Sequence, residues 1–141
     1  MKKTNQIRYL QLKELLKNSY SPYSQFATAA IVTTDQGEFE GVNVENASFT
    51  AGICAERNAL FSAMTNGSKV VKQLDLISSS HSNEVIPCGV CLQALTEFMD
   101  PKAPIVVYNI DGKVKKYLFK DLMPVTFKKK EIPSQQNKKK K

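Results

Sequence analysis

Three cysteines are the first residues in this 141-residue chain whose type and spacing suggest chemistry: Cys54, Cys88 and Cys91. The last two form Pro87-Cys-Gly-Val-Cys91, and the first heads Cys54-Ala-Glu-Arg57. The chain starts Met1-Lys-Lys-Thr-Asn-Gln-Ile-Arg-Tyr9, with no apolar stretch of the secretory kind. An odd cysteine count in that setting argues against a disulfide framework and for a reducing, cytoplasmic compartment. A redox CxxC pair needs a βαβ setting and leaves Cys54 unexplained. A structural zinc site has four protein ligands, and the single histidine, His81, sits in a polar stretch that reads as a solvent loop. Three ligands and an open fourth position is the pattern of a catalytic Zn²⁺ that keeps a place for water.

Both cysteine clusters fall at the first turns of predicted helices, where free N–H groups and the macrodipole favour the thiolate that zinc requires. Three thiolates on one Zn²⁺ leave a net charge of −1, so the centre needs a cation to remain a useful Lewis acid. Arg57, within a turn of Cys54 and one of only two arginines in the chain, fills that need. Glu56, two residues from Cys54, points another way on a helix and faces the open position without being a ligand. A carboxylate there takes a proton from water and delivers it elsewhere.

The elements that must carry these residues read as follows. Residues 4–18 form an amphipathic helix with Thr4 as N-cap, and Tyr20-Ser-Pro-Tyr-Ser-Gln-Phe26 is a turn-rich connector. Residues 27–34 and 39–44 make a hairpin around Asp35-Gln-Gly37. Helices follow at 54–64 and 88–99, strands at 74–78, 105–109 and 114–119, and a last helical turn at 120–123. Strands alternating with helices predict an α/β sandwich with an antiparallel pair at one side and helices on both faces. No stretch reaches the roughly 18 apolar residues of a membrane span.

Cys-Ala-Glu followed about thirty residues later by Pro-Cys-x-x-Cys resembles the zinc-dependent cytidine deaminase superfamily. The likeness covers residues 5–127, essentially the whole domain. Tyr20-Ser-Pro-Tyr-Ser-Gln-Phe26, Gly41-Val-Asn-Val-Glu-Asn-Ala-Ser48, Cys54-Ala-Glu-Arg57 and Leu122-Met-Pro-Val-Thr-Phe127 stand in the order and spacing of the small, free-nucleoside deaminases. That resemblance implies a three-layer α/β/α sandwich with a mixed five-stranded sheet. It implies one Zn²⁺ per chain on Cys54, Cys88 and Cys91, and hydrolysis of cytidine or deoxycytidine to uridine or deoxyuridine plus ammonia, for pyrimidine salvage. Glu56 would move a proton from water to ring nitrogen 3 and then to the departing amino group. Asn43 and Glu45 would hold the ribose hydroxyls, Phe26 would pack near the base, and the backbone of Ala55 would contact the pyrimidine. Relatives of this length are homotetramers, which assigns Ala47, Phe49 and Phe127 to an inter-subunit pocket. Four positions depart from the usual pattern: Phe49 for tyrosine, Thr28 and Ala29 for Val-Gly, and Leu92 for arginine.

Composition is ordinary for a globular protein, 42% apolar and 23% charged, but the formal charge of +7 points toward a nucleic-acid partner. Position dissolves that signal. Seven lysines fall in Lys128–Lys141 against one acid, Glu131, which leaves residues 1–127 with 13 basic and 12 acidic groups. The chain thus divides into a nearly neutral catalytic domain, 1–127, and a basic C-terminal tail, 128–141. The alternatives are a polynucleotide (RNA or DNA) editing deaminase using that tail, a blasticidin-S-type deaminase and a non-enzymatic zinc scaffold.

Overall fold

Small and β-branched residues fill Thr28–Thr34, and every residue from Ala29 to Val32 is buried. A strand buried on both sides must be covered by helices on both sides. The computed structural model describes residues 2–133; the part of the lysine tail at 134–141 lies outside the described residues. The elements are α1 (Lys3–Leu16), β1 (Thr28–Thr34), β2 (Gly37–Val42), α2 (Ala55–Thr65), β3 (Val71–Ser78), α3 (Gly89–Thr96), β4 (Pro104–Tyr108), β5 (Val114–Leu118) and α4 (Phe119–Leu122). They build a mixed five-stranded sheet in the order β2-β1-β3-β4-β5. β1 pairs antiparallel with β2 and β3, β3 parallel with β4 across the α3 crossover, and β4 antiparallel with β5. The fold class is the expected α/β sandwich.

The side-chain alternation of the strands sorts the core into two halves. Ala30, Val32, Leu74, Leu76, Ile105 and Val107 pack with α2 and α3. Ala29, Ile31, Ile77, Val106 and Tyr108 pack with Leu12 and Leu16 of α1. Each large aliphatic residue removed from water here contributes about 1.5–3 kcal/mol.

Helix α2 sits unusually close to the sheet edge. Ala55, Ala59 and Ala63, four apart and wholly buried, present a flat face. A Cβ on Gly41 would stand 2.4 Å from the Ala59 backbone nitrogen and 2.7 Å from the Ala55 carbonyl oxygen. Asn58 Nδ2 donates to the Val42 carbonyl at 3.0 Å and fixes the helix along β2. This seating sets the height of Cys54 and Glu56 over the end of the sheet.

Several expected boundaries move. α1 begins at Lys3 with Lys2 before it, and no side chain caps it; Thr4 lies inside the helix. β2 starts with Gly37 at the hairpin turn and ends at Val42, so Asn43 and Glu45 lie just beyond it. β3 starts at Val71, where a bridge to Met99 and pairing with Thr34 extend it. Among the described residues no helix is long and apolar enough to cross a membrane.

Candidate metal centre and cleft

Cys54 and Cys88 are the N-cap residues of α2 and α3, and their carbonyls accept the first helical bonds from Asn58 and Leu92. Cys91 lies in the first turn of α3. The two helix starts meet, and the three sulfurs lie within 4.8 Å of one another. The Cys54–Cys88 pair is 4.0 Å apart and the Cys88–Cys91 pair 3.6 Å. A tetrahedral ion with Zn–S bonds of about 2.3 Å spaces its sulfurs by about 3.8 Å, so this donor set fits Zn²⁺. Cys91 is buried, Cys54 half-buried and Cys88 exposed, leaving the site open on one side.

Arg57 reaches this cluster from the third position of α2. Its Nε donates to Cys91 Sγ and its Nη2 to Cys54 Sγ, each at 3.4 Å. Those two bonds push the guanidinium pKa further up. Hydrogen bonds from Cys91 and Arg57 pull the Cys54 thiol down to about 5, while Cys91, which shares its proton with Cys54 in a buried place, is pushed up.

Glu56 is 5% exposed and opens into a cleft of about 610 Å³. Burial, with the nearby Cys54 charge, raises its carboxyl to about 7. Among the described residues no ion pair forms there. A buried carboxyl raised toward neutrality beside three sulfurs is chemically able to exchange protons.

The far wall of the cleft comes from the Tyr20–Phe26 connector and the segment after β2. Phe26, Asn43, Glu45 and Phe49 line it together with Cys54, Glu56, Arg57 and Cys88. Ala55 does not line it; its side chain is packed in the core. Ala47 is exposed outside the cleft. Phe127 is exposed as well, its carbonyl held by Gln93 Nε2 at 3.0 Å. Thr28 lines the cleft, Ala29 faces α1 instead, and Leu92 is a core residue. His81 is exposed and bonded to Asp111, as a solvent loop would have it.

Long-range hydrogen bonds supply what the sequence leaves unread. Asn43 Oδ1 accepts from Thr28 N at 2.9 Å and from Ser19 Oγ, and its Nδ2 donates to the Phe26 carbonyl at 2.8 Å. The Glu45 carboxylate accepts from the backbone of Tyr23 and Ser24 and from the Ser24 hydroxyl. Val85 and Ile86 add apolar lining from the loop before α3. Serine is common in turns because its hydroxyl bonds nearby backbone, and that is the signal Ser19 and Ser24 offered.

Comparison with known proteins gives the same picture. The cytidine deaminase of Mycoplasma genitalium is 33% identical over 119 residues, 84% of this chain and 92% of its own. That of Halalkalibacterium halodurans is 32% identical over 124 residues, 85% of this chain and 93% of its own. The crystal structure of cytidine deaminase from Burkholderia pseudomallei superposes with a TM-score of 0.78 at 35% identity, covering 90% of this chain and all of that one. Residues 3–107 match the cytidine and deoxycytidylate deaminase zinc-binding region, and the chain belongs to that family.

Proposed function

We propose that this protein hydrolyses the free nucleosides cytidine and deoxycytidine to uridine and deoxyuridine, releasing ammonia. The observation that carries this reading is the charge lining the cleft: two carboxylates, Glu45 and Glu56, and one arginine already turned to sulfur. A 5′-phosphate calls for cations, and the single lining cation among the described residues, Arg57, already gives its Nε and Nη2 to the cysteine sulfurs. A sugar hydroxyl needs an acceptor, which Glu45 supplies.

Cys54, Cys88 and Cys91 would hold one Zn²⁺ per chain, which would supply the Lewis acidity that makes water a nucleophile near neutral pH. Glu56 would take a proton from the attacking water as it adds to carbon 4 of the ring, and donate it to ring nitrogen 3. The same carboxylate then carries the second water proton to the amino group, so that one water enters and one ammonia leaves. Arg57 offsets the excess negative charge of three thiolates. Phe26 packs beside the base, and Asn43 and Glu45 hold the sugar.

The reading extends to a homotetramer in the cytoplasm, acting in pyrimidine salvage. Phe49 is 82% exposed at the mouth of the cleft, and Phe127 is exposed elsewhere on the surface; a neighbouring copy would cover such rings together with Ala47. Native mass spectrometry gives four chains on this account. The test of substrate is a comparison of cytidine, deoxycytidine and deoxycytidine 5′-monophosphate with zinc-loaded protein. The nucleosides are turned over, and kcat/KM for the monophosphate is lower by about a hundredfold, the worth of an unmade charge-assisted contact. Preference for the monophosphate overturns the reading.

A further inference from the structure

Ser24 lies 21 residues from Glu45 in sequence, yet its hydroxyl touches two of the residues on the far wall of the cleft, Glu45 and Phe26. Its single O–H donates to Glu45 Oε2, and its oxygen accepts from the Phe26 backbone N–H at 3.1 Å. We propose that Ser24 is a positioning residue, whose hydroxyl ties the Glu45 carboxylate to the Phe26 backbone and thereby sets the sugar side of the cleft. The proposal rests on the nucleoside reading above.

The bonding has a direction. A serine hydroxyl has one proton to give, and here the carboxylate takes it, so the oxygen is free to receive the Phe26 N–H. Backbone N–H groups of Tyr23 and Ser24 occupy the other carboxylate oxygen at 3.1 and 3.0 Å. With three donors on it, Glu45 is held below the usual carboxylate range, the Ser24 hydroxyl being the largest cause. A carboxylate kept ionised and fixed offers its remaining Oε2 lone pair to a donor such as a sugar hydroxyl, and to no group that only accepts. Between the two bonded residues, Gln25 adopts φ +55°, a left-handed conformation disfavoured for a residue with a side chain. Two bonds hold that turn, Gln25 N to the Ser21 carbonyl at 2.9 Å and Phe26 N to Ser24. Asn43 grips the Phe26 carbonyl from the opposite side. Loss of the Ser24 hydroxyl therefore frees one carboxylate oxygen and one end of Phe26 together.

The test compares wild type, Ser24→Ala and Ser24→Thr as zinc-loaded proteins. For Ser24→Ala the KM for cytidine rises about fivefold, the worth of one net hydrogen bond, with kcat within about twofold of wild type. Ser24→Thr, which keeps the hydroxyl, restores the wild-type KM. In parallel, NMR titration of glutamate-labelled protein finds the Glu45 carboxyl raised toward the ordinary range in Ser24→Ala and unmoved in Ser24→Thr. A wild-type KM in Ser24→Ala, or a loss confined to kcat, overturns the proposal. Should wild type leave cytidine unchanged, it is the nucleoside reading that falls. The Glu45 titration then decides the role of Ser24, and an unmoved Glu45 in Ser24→Ala overturns it.

Discussion

The two faces of the sheet each bury a carboxylate, and the contrast between them separates chemistry from architecture. On the α2 face Glu56 is raised to about 7 by burial, has no ion-pair partner among the described residues, and opens into the cleft beside three sulfurs. On the α1 face Asp75, 1% exposed at the middle of β3, is raised to about 6, also by burial. Asp75 is closed in by partners. Arg8 Nε lies at 3.4 Å, Gln73 Nε2 donates to both its oxygens at 3.1 Å, and Arg8 forks onto Glu38. The same low-dielectric physics acts on both groups; what differs is whether the proton has somewhere to go.

The contrast breaks most sharply at Glu56. Glu56→Gln lowers kcat by about 10³–10⁴-fold, the upper range for a lost acid–base group, with zinc per chain and melting temperature retained. Steady-state kinetics with metal analysis checks this.

Gly41→Ala disturbs the α2 face alone. Its new Cβ meets the Ala59 and Ala55 backbone, which cannot yield as a side-chain tip would. The overpacking costs about 3 kcal/mol and lifts Cys54 and Glu56 together, so thermal melts and zinc affinity fall together.

Asp75→Asn disturbs the α1 face alone, and its sign depends on pH. The folded chain holds the Asp75 proton up to about pH 6, whereas an unfolded aspartic acid releases it near 3.8. The folded state therefore binds the extra proton between those values, and the wild type loses stability as pH rises from 4 to 6. The asparagine variant escapes that loss. The stability difference in its favour widens by about 2 kcal/mol over this window and is flat above it. Melts at pH 4, 5, 6 and 7.5 measure it, and nucleoside turnover by the folded variant stays at the wild-type level.

The smallest effect belongs to the tail. Deleting residues 128–141 leaves Phe127 and Gln93 in place, and changes stability by less than about 0.5 kcal/mol and nucleoside turnover by less than about twofold. Strong salt-dependent loss of RNA or DNA binding together with loss of editing would instead favour the polynucleotide alternative.

The same contrast explains what could be read from the chain. Cys54, Glu56, Arg57, Cys88 and Cys91 were legible because their chemistry demands those types at short spacings, and the helix starts bring them together. Asp75 was not, since it sits inside a short apolar strand and its partner Arg8 is on another element. The sandwich followed from the alternation of strands and helices. The limits of β2 did not, because pairing with β1 begins at the turn glycine, and no local pattern records it. Asn43 was assigned to the sugar by the family resemblance. Its bonds to Ser19, Phe26 and Thr28 come from residues 15 to 24 positions away and exist only once the connector is folded over the cleft.

The central claim is that the three-sulfur site and Glu56 deaminate a free pyrimidine nucleoside. A spectrophotometric cytidine assay on purified protein, with zinc quantified per chain, tests it most directly. The account predicts one Zn²⁺ per chain and uridine and ammonia formed in equal amounts. Protein carrying its zinc yet leaving cytidine and deoxycytidine unchanged contradicts it.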